Sequence, residues 1–568
     1  MDLPKKLSFV SYAVNGRGLG HLSRQIAIAR WVRRYATFCG VRSEHWFLTT
    51  SEADTLLHRE GFAGFKLPSK SVVADAGIGK QGYLALAKQW VWHSVALIRP
   101  DVLVVDTFPN GSFQELLGVL DLCRHKALVL RPVKPEFARR PAFAAVARLY
   151  DRVIVPQTAE VAGPFPLDLP GERVRHVGPV MRGESFEHFD RAEARRRLGV
   201  PPDARCWLVS GGGGGDDTVQ ALYDHVDTLA KADPSAWWVF AAGPLYTGRP
   251  RTGPNRVWWT TPDLAAHLRA FDAAISAAGF NAVHELLHAG VPTIFVPQDK
   301  IADDQDGRVD AYVARGAALR AALSADSLSR AVERLAKADL SAMSAAARAA
   351  VPDNHARDAA AEILQLCLPA AVLEQAREEL NDETLAVAQG HDIVLGDLVD
   401  LAVALDPRAP AAGPDRSRLE LDPALSLLTT ARDAGMPDAA LVRVAQTLGR
   451  KLKGSREDGP AEVASALQTL VEHGAIAGQW SALAMLLSSI PGERQWTAAQ
   501  LVAQWCRLAD EALDRGHDLM SLSRWVLDDA HADASRADAD EGKNAATIAR
   551  LRARLSEDED DPSQTEAS

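Results

Sequence analysis

The chain has 568 residues, 47% of them apolar, and a formal net charge of −11. That length exceeds what one hydrophobic core supports and predicts two or more domains. The acidic balance argues against nucleic acid as a partner, because neutralising phosphates requires a basic face. No uninterrupted apolar stretch of about 18 residues occurs, which argues against a membrane span, although peripheral association with a membrane stays compatible with the composition.

The five cysteines lie far apart, without a CxxC pair or a cluster with histidines. This spacing predicts neither a disulfide framework nor a zinc site. The first residues also lack the longer apolar segment and cleavage site of a signal peptide. We therefore expect a reducing, cytoplasmic location.

Short apolar runs typical of strands alternate with helical patterns from the N-terminus to about residue 160. The predicted strands are 7–12, 45–49, 102–105, 127–130 and 152–155, and the predicted helices are 22–35, 52–60 and 114–122. Strands separated by crossover helices predict a parallel, doubly wound sheet.

The same rhythm restarts after a short strand and connector at residues 174–179. The predicted strands of this second part are 206–210, 237–241, 256–260, 273–276 and 293–296. Two successive α/β units of ordinary domain size result, and the cleft between them is the expected place for a ligand.

Beyond about residue 366 the sequence becomes rich in Ala, Leu and Arg, with almost no strand pattern. The predicted fold class is therefore α/β, with two Rossmann-like domains followed by an all-helical C-terminal extension. The predicted domains are residues 1–170, residues 171–366, a helical extension at 367–530 and an acidic, disordered tail at 531–568.

The first glycine-rich segment, residues 15–24, follows the first predicted strand and opens a predicted helix. It contains Gly16, Gly18 and Gly20, followed by His21. Glycines there let the backbone approach a ligand, and a helix start offers free N–H groups to an anion. The spacing differs from the GxGxxG of dinucleotide sites, so a nicotinamide or flavin is a poorer match and no cofactor is expected. A neutral His21 could accept a proton from a hydroxyl or water, or could merely cap the helix.

Five consecutive glycines, Gly211–Gly215, lie between another predicted strand and helix. Because glycines cost backbone entropy on folding, a plain linker is the poorer explanation, and N–H groups around a diphosphate are the better one. No Lys-Ser/Thr pair follows the glycines, so the segment is not a P-loop.

A third segment, residues 276–297, reads as strand, tight turn, helix and strand. Gly279 would let a ligand meet the helix N-terminus, and Glu285 on that helix would accept two ribose hydroxyls or simply be solvated. The acidic run at residues 303–306 supplies acceptors for sugar hydroxyls, and the same oxygens would suit magnesium.

Together and in this order, the three segments resemble the GT-B glycosyltransferases, specifically the group with the cell-wall N-acetylglucosaminyltransferase that makes lipid II. The matching positions are Gly16, Gly18, Gly20, His21, Gly211–Gly215, Ser276, Gly279, Glu285, Gly290, Pro292 and Gln305. A set of predicted glycosyltransferases also shares the segments at residues 18–24 and 100–109. The resemblance covers roughly residues 7–365.

The resemblance implies metal-independent, inverting transfer from a nucleotide diphosphate sugar, most simply a UDP-sugar, to an unknown acceptor hydroxyl. The donor-binding residues that it implies are Gly18, Gly20, Gly211, Gly212, Gly213, Thr261, Ser276, Gly279, Glu285, Asp304 and Gln305. His21 or Asp106 would be the base. Arg131 would bind an acceptor anion or form a structural ion pair.

Three rival interpretations stay open at this point. The glycine-histidine segment also resembles UDP-sugar hydrolases of nonulosonic acid synthesis, in which the histidine would activate water. A non-hydrolysing sugar epimerase has the same fold but fits the loops less well. A catalytically degenerate nucleotide-sugar-binding scaffold would need no base at all.

Overall fold

The computed structural model describes residues 3–14, 18–162, 165–215, 218–261 and 263–380. Met1–Ala36 and Arg42–Gln375 form one compact unit that contains both sheets, and Thr37–Val41 with Ala376–Ser568 form another. The predicted helical extension and acidic tail lie outside the described residues, apart from 367–380. The boundaries predicted at 170 and 366 stay predictions.

The first half of the compact unit holds a parallel seven-stranded sheet in the order β3-β2-β1-β4-β5-β6-β7. Its strands are β1 (Lys6–Ala13), β2 (Arg42–Thr49), β3 (Ala63–Lys66), β4 (Val102–Asp106), β5 (His125–Val129), β6 (Arg152–Val155) and β7 (Val174–His176). The strand order reverses between β1 and β4, so a crevice opens beyond the carboxyl ends of these two strands.

The second half holds a parallel six-stranded sheet in the order β10-β9-β8-β11-β12-β13. Its strands are β8 (Arg205–Ser210), β9 (Ala236–Ala242), β10 (Arg256–Thr260), β11 (Ala273–Ala277), β12 (Thr293–Val296) and β13 (Leu319–Arg320). Here the order reverses between β8 and β11, which places a second crevice at their carboxyl ends.

The helices lie between and after these strands. They are α1 (Gly20–Phe38), α2 (Thr55–Arg59), α3 (Lys70–Asp75), α4 (Lys80–Ile98), α5 (Pro135–Ala138), α6 (Pro141–Ala147), α7 (Ala159–Ala162), α8 (Arg191–Leu198), α9 (Thr218–Ala232), α10 (Phe280–His288), α11 (Gln305–Ala314), α12 (Ala325–Lys337), α13 (Leu340–Ala350), α14 (Ala356–Leu364) and α15 (Ala370–Glu379). Short 3-10 helices occupy Leu120–Leu122, Gly171–Arg173, Ser185–Glu187 and Ala265–Ala270. Within the described part of the chain, none of the helices combines the length and apolarity needed to cross a bilayer.

Hydrophobic clusters cover both faces of the second sheet, as a doubly wound sheet requires. Successive residues of β8 alternate between them: Cys206 and Leu208 join one buried cluster, and Trp207 and Val209 join the other. This follows from the two-residue period of a strand, since neighbouring side chains point to opposite faces.

The predicted fold class is confirmed for the described residues, because two parallel doubly wound sheets follow one another as in the GT-B fold. The helix predicted at 114–122 is wrong except for its last three residues. The carboxylate of Glu115 accepts the backbone N–H groups of Ser112 at 2.8 Å and Phe113 at 2.7 Å, which holds this segment as a turn. The sequence interpretation also missed the short edge strands β3 and β13.

Candidate functional site

A cleft of about 710 Å³ opens where the carboxyl ends of the two sheets face each other. Both halves of the compact unit contribute to its walls. The predicted site residues that line it are Gly18, Gly20, His21, Arg131, Gly211, Gly212, Gly213, Gly279 and Gln305. The structure thus gathers residues that are up to about 290 positions apart in the sequence.

The glycine loops of the two halves touch each other at one end of the cleft. A Cβ on Gly213 would lie 3.1 Å from Cγ and 3.3 Å from the backbone nitrogen of Leu19, which sits between Gly18 and Gly20. A side chain on Gly213 would push the two loops apart, so glycine at this position is consistent with the short distance between the loops. Gly16 lies outside the described residues.

Backbone N–H groups of the second glycine loop divide into two sets. Gly211 donates its N–H to the hydroxyl of Tyr223 at 3.1 Å, and Gly212 donates to Oγ of Ser210 at 3.2 Å. The N–H groups of residues 213–215 make no hydrogen bond to another described residue. Of the five N–H groups that were expected to bind a diphosphate, only these three are therefore available to a ligand.

His21 and Asp106 form a buried pair at the floor of the cleft. Nδ1 of His21 lies 2.5 Å from Oδ1 of Asp106. Arg24 clamps the same carboxylate through Nε at 2.9 Å and Nη2 at 2.7 Å, and the hydroxyl of Thr107 donates to it at 2.8 Å. Asp106 has no exposed surface and does not line the cleft, whereas His21 does.

The protonation states of His21 and Asp106 depend on their burial and on the charged groups beside them. Burial favours the neutral form of both groups, but the Arg24 guanidinium and His21 hold the pKa of Asp106 well below its usual range. Burial is the largest influence on His21 and lowers its pKa, against the raising effect of Asp106. At neutral pH the arrangement is an ionised carboxylate beside a neutral imidazole.

A smaller pocket of about 170 Å³ adjoins the cleft and shares Leu19, Gly20 and Gly279 with it. Glu285 and Thr261 line this pocket. Burial raises the pKa of Glu285 to about 7, opposed by the charge and the backbone N–H of Arg182. The pocket therefore presents a carboxyl group that ionises near neutrality.

The N-terminus of α10 opens into both the cleft and this pocket. Gly279 is the N-cap residue and supplies no side-chain acceptor, so the first N–H groups of the helix are left to a ligand. Ser276, which was expected to bind the donor, lines neither the cleft nor the smaller pocket. It has no exposed surface, and its hydroxyl donates to the carbonyl of Ala277 at 3.0 Å.

The acidic run after β12 is tied to arginines. Oδ1 of Asp303 accepts from Arg131 at 2.5 Å and also from Arg308, so Arg131 joins the two halves as an ion pair. Asp304 caps α11 by accepting the N–H of Gly307 at 3.0 Å, and it is Asp303, not Asp304, that lines the cleft. In the described ranges, no group of three His, Cys, Asp or Glu side chains is arranged to hold a metal ion.

Gln305 lines the cleft, but its side chain is engaged at both ends. Its Oε1 accepts the N–H of Gln298 at 2.9 Å, and its Nε2 donates to Asp303 at 3.2 Å. These two hydrogen bonds stabilise the loop. To bind a sugar hydroxyl, the amide of Gln305 would have to give up one of them.

The sequence analysis assigned no role to three residues of the site, which are Arg24, Asn281 and Arg182. Arg24 clamps Asp106 and reaches Oδ1 of Asn281 in the second half at 3.4 Å, while Nδ2 of Asn281 donates to the carbonyl of Gly20 at 3.4 Å. Arg182 contributes its N–H to Glu285. The position of Arg24 three residues after His21, on the same helix face, was the available signal.

Comparison with known proteins matches residues 259–364 to the family model "Glycosyltransferase family 28 C-terminal domain". Two curated relatives carry the name UDP-N-acetylglucosamine--N-acetylmuramyl-(pentapeptide) pyrophosphoryl-undecaprenol N-acetylglucosamine transferase. The Gloeobacter violaceus protein is 35% identical over 174 residues, which are 28% of this chain and 48% of the relative. The Phocaeicola vulgatus protein is 29% identical over 151 residues, 25% of this chain and 40% of the relative.

The chain therefore matches less than half the length of either relative. Among solved structures, Acinetobacter baumannii MurG overlaps 64% of this chain and 100% of its own length, with a TM-score of 0.42 and 18% identity. The family-model match at residues 259–364 contains the third motif segment, residues 276–297.

Proposed function

We propose that this chain, which resembles glycosyltransferases of family 28 in its second half, transfers a sugar from a nucleotide diphosphate sugar to an acceptor hydroxyl. The observation that carries the proposal is the meeting of a buried His–Asp pair, two touching glycine loops and a carboxyl-lined pocket in one cleft. The small pocket would hold the nucleoside, with Glu285 on the ribose and the backbone near Thr261 at the base. The names of the relatives favour a UDP-sugar as donor.

His21 is the proposed base. Because Nδ1 faces the ionised Asp106, the proton of the neutral ring resides on Nδ1 and leaves Nε2 as the acceptor. Nε2 would take the proton of the acceptor hydroxyl as its oxygen attacks the anomeric carbon. Asp106 is a positioning residue in this scheme, since it is fully buried and clamped by Arg24.

The departing diphosphate would be stabilised by backbone N–H groups. The N-terminus of α10 and the glycines at 213–215 face the cleft from the second half. The carboxylates of Asp303 and Asp306 are paired with Arg308 and Arg320, which supports transfer without a metal ion. A single displacement with inversion is favoured because Asp106 is too enclosed to attack the sugar itself.

The alternative to transfer is hydrolysis, in which the same His21 would activate water. Nothing in the geometry of the pair separates an alcohol from water, but the names of the relatives favour transfer. A degenerate scaffold is disfavoured because the buried charged cluster around Asp106 is costly to maintain without a use.

The decisive experiment is a thermal-shift screen against UDP-, GDP- and dTDP-sugars, followed by UDP release with and without candidate acceptor alcohols. A ligand at 100 times its dissociation constant adds about 2.7 kcal/mol of stability. We expect a shift with UDP-sugars, acceptor-dependent UDP release, and a loss of release of about 100-fold or more in His21→Ala, as for a general base. Absence of a shift with every nucleotide sugar would refute the donor site, and acceptor-independent release would identify a hydrolase.

Peripheral association with a membrane is proposed through α4. This helix buries Tyr83 and Val91 but leaves Leu86 at 64%, Trp92 at 44% and Leu97 at 85% exposure. Leu86 and Leu97 are eleven residues, or three helical turns, apart and share one face of the helix, and large apolar side chains on an exposed face suit an interface with lipid. Co-sedimentation with phosphatidylglycerol vesicles should be lost in a Leu86→Ser/Leu97→Ser variant and retained in Leu149→Ser, whose side chain is also exposed but lies elsewhere. The cytoplasmic location stays a prediction.

A further inference from the structure

A third cavity, of about 750 Å³, lies in the second half of the compact unit. Of its lining residues among those that the structure describes, Leu268 alone also lines the smaller pocket beside Glu285, and none lines the cleft. The cavity is formed where the linker into α8, the 3-10 helix at Ala265–Ala270, the C-terminal end of α10 and α13 meet. Its volume lies in the range of small-molecule sites.

Three guanidinium groups from three separate elements line this cavity. They belong to Arg191 on α8, Arg269 on the 3-10 helix and Arg348 on α13. Arg191 pairs with Asp272 at 2.5 Å, and that carboxylate is shared with Arg195 at 2.8 Å. Within the described ranges, no carboxylate lies in ion-pair distance of Arg269 or Arg348. Asp272 also lines the cavity and offsets Arg191, so the excess positive charge of the cavity is that of Arg269 and Arg348.

The side chain of Arg348 lies directly against Gly290. Gly290 follows the C-terminus of α10 with a φ of 71°, and a Cβ there would overlap the guanidinium of Arg348. A glycine is required for the backbone angle and for the close approach of the arginine. The guanidinium thus lies against the wall of the cavity even though its residue is exposed.

Two neutral histidines and several hydroxyls complete the polar lining. Burial, with the charge of Arg269, lowers the pKa of His188 to about 4. Nδ1 of His288 lies 3.0 Å from the carbonyl of Val351, so it donates there, and Nε2 accepts from the hydroxyl of Ser185 at 2.8 Å. These groups add hydrogen-bonding capacity without charge at neutral pH, so the positive charge comes from the arginines.

We infer that this cavity is a binding site for a soluble small molecule with a pyrophosphate or two adjacent phosphate groups. Guanidinium forks match phosphate oxygens in a bidentate way, and arginines on separate elements can hold more than one phosphate. Leu268, Phe271 and Pro292 give the cavity an apolar wall for the organic part of such a ligand. The inference concerns a site separate from the cleft and does not depend on the proposed transfer reaction.

Isothermal titration of the full chain with pyrophosphate and with inorganic phosphate tests the inference. We expect pyrophosphate to bind at least tenfold more tightly than phosphate. The variant Arg269→Gln/Arg348→Gln should lose one pyrophosphate site per chain. The matched control is Arg330→Gln/Arg334→Gln, which removes two exposed arginines of α12 that do not line the cavity.

The measured stoichiometry separates this cavity from the cleft. Pyrophosphate bound by the glycine loops of the cleft would still bind in both double variants. Only the loss of a site in Arg269→Gln/Arg348→Gln, but not in the control, therefore supports binding in this cavity. Equal stoichiometry and affinity in the two double variants would overturn the inference, and equal affinity for phosphate and pyrophosphate would overturn the two-phosphate specificity. Thermal unfolding of both variants checks that they fold.

Discussion

Nδ1 of His21 lies 2.5 Å from Oδ1 of Asp106, and the same carboxylate is clamped by Arg24. This relationship favours His21 over Asp106 as the proposed base. Asp106 is fully buried with its pKa held down by Arg24, so in the proposed mechanism it orients His21 and keeps the proton on Nδ1. His21, which reaches the cleft, is left as the group that can accept a proton from a ligand.

Replacing Asp106 by Asn should destabilise the fold, because Arg24 would remain buried without its carboxylate. Removing one partner of a buried ion pair costs about 3–5 kcal/mol. The pKa of Asp106 is lowered in the folded state, so its contribution is complete above the unfolded pKa and is lost as the pH falls. Urea unfolding should therefore show a smaller loss of stability between pH 5 and pH 3 in Asp106→Asn than in the wild type.

The control for that substitution is Asp168→Asn, whose side chain is almost fully exposed. It should leave the free energy of unfolding within about 0.5 kcal/mol of the wild type, as for most surface changes. An equal effect of the two substitutions would contradict the assignment of Asp106 as a buried, charge-paired positioning residue.

Replacing Glu285 by Gln should weaken nucleotide-sugar binding in a pH-dependent way. The pKa of Glu285 is about 7, so the carboxylate that would accept ribose hydroxyls forms between pH 6 and pH 8. We expect wild-type affinity for a UDP-sugar to increase over that range and the affinity of Glu285→Gln to stay constant. At pH 8 the variant should bind about 10- to 100-fold more weakly, the cost of hydrogen bonds to a charged group.

The pH dependence that we expect for the stability of the fold is opposite to that of donor affinity. Because its pKa is raised in the folded state, Glu285 favours folding at low pH, and this contribution is lost as the pH rises through 7. The unfolding free energy of the ligand-free wild type should therefore fall from pH 5 to pH 8 relative to Glu285→Gln. Glu172→Gln, an exposed control, should parallel the wild type in both titrations.

Substituting Gly213 by Ala should separate the two glycine loops. The added Cβ would lie 3.1 Å from Cγ of Leu19, so the loop would shift by a few tenths of an ångström. Because N–H groups must be closely placed to stabilise a diphosphate, we expect donor affinity to fall by about tenfold or more. Gly79→Ala has open space around its Cβ and should leave the affinity unchanged; a similar loss in both variants would count against the loop contact.

Arg131 and Asp303 provide a test of whether Arg131 is structural or binds an acceptor. Their ion pair spans the two halves, at 2.5 Å, and Asp303 also contacts Arg308. If the pair is structural, Arg131→Ala and Asp303→Asn should be non-additive, with a coupling energy of about 0.5–3 kcal/mol in a double-mutant cycle of unfolding free energies. Additive effects on the unfolding free energy, together with a raised KM for an acceptor in Arg131→Ala alone, would instead indicate that Arg131 binds the acceptor.

The sequence by itself determined the fold class and the order of the ligand loops. Strand and helix periods are local, so β1, β4, β8 and β11 could be predicted near their observed positions. Glycines after β1 and β8 and the Gly279 turn after β11 are local signals of the same kind. In contrast, the helix predicted at 114–122 is wrong over residues 114–119, because the carboxylate of Glu115 accepts backbone N–H groups of the residues just before it and holds a turn.

Tertiary structure decided which partners the individual side chains of the site contact. Nothing local distinguishes Asp303 from Asp304, yet one faces the cleft and pairs with Arg131 from the other half, while the other caps α11. Likewise, the assignment of His21 and Asp106 depends on Arg24, which reaches that carboxylate only when α1 lies beside β4. A pattern of residues predicts where loops form, but the partner of each charge depends on which surfaces come together when the sheets assemble.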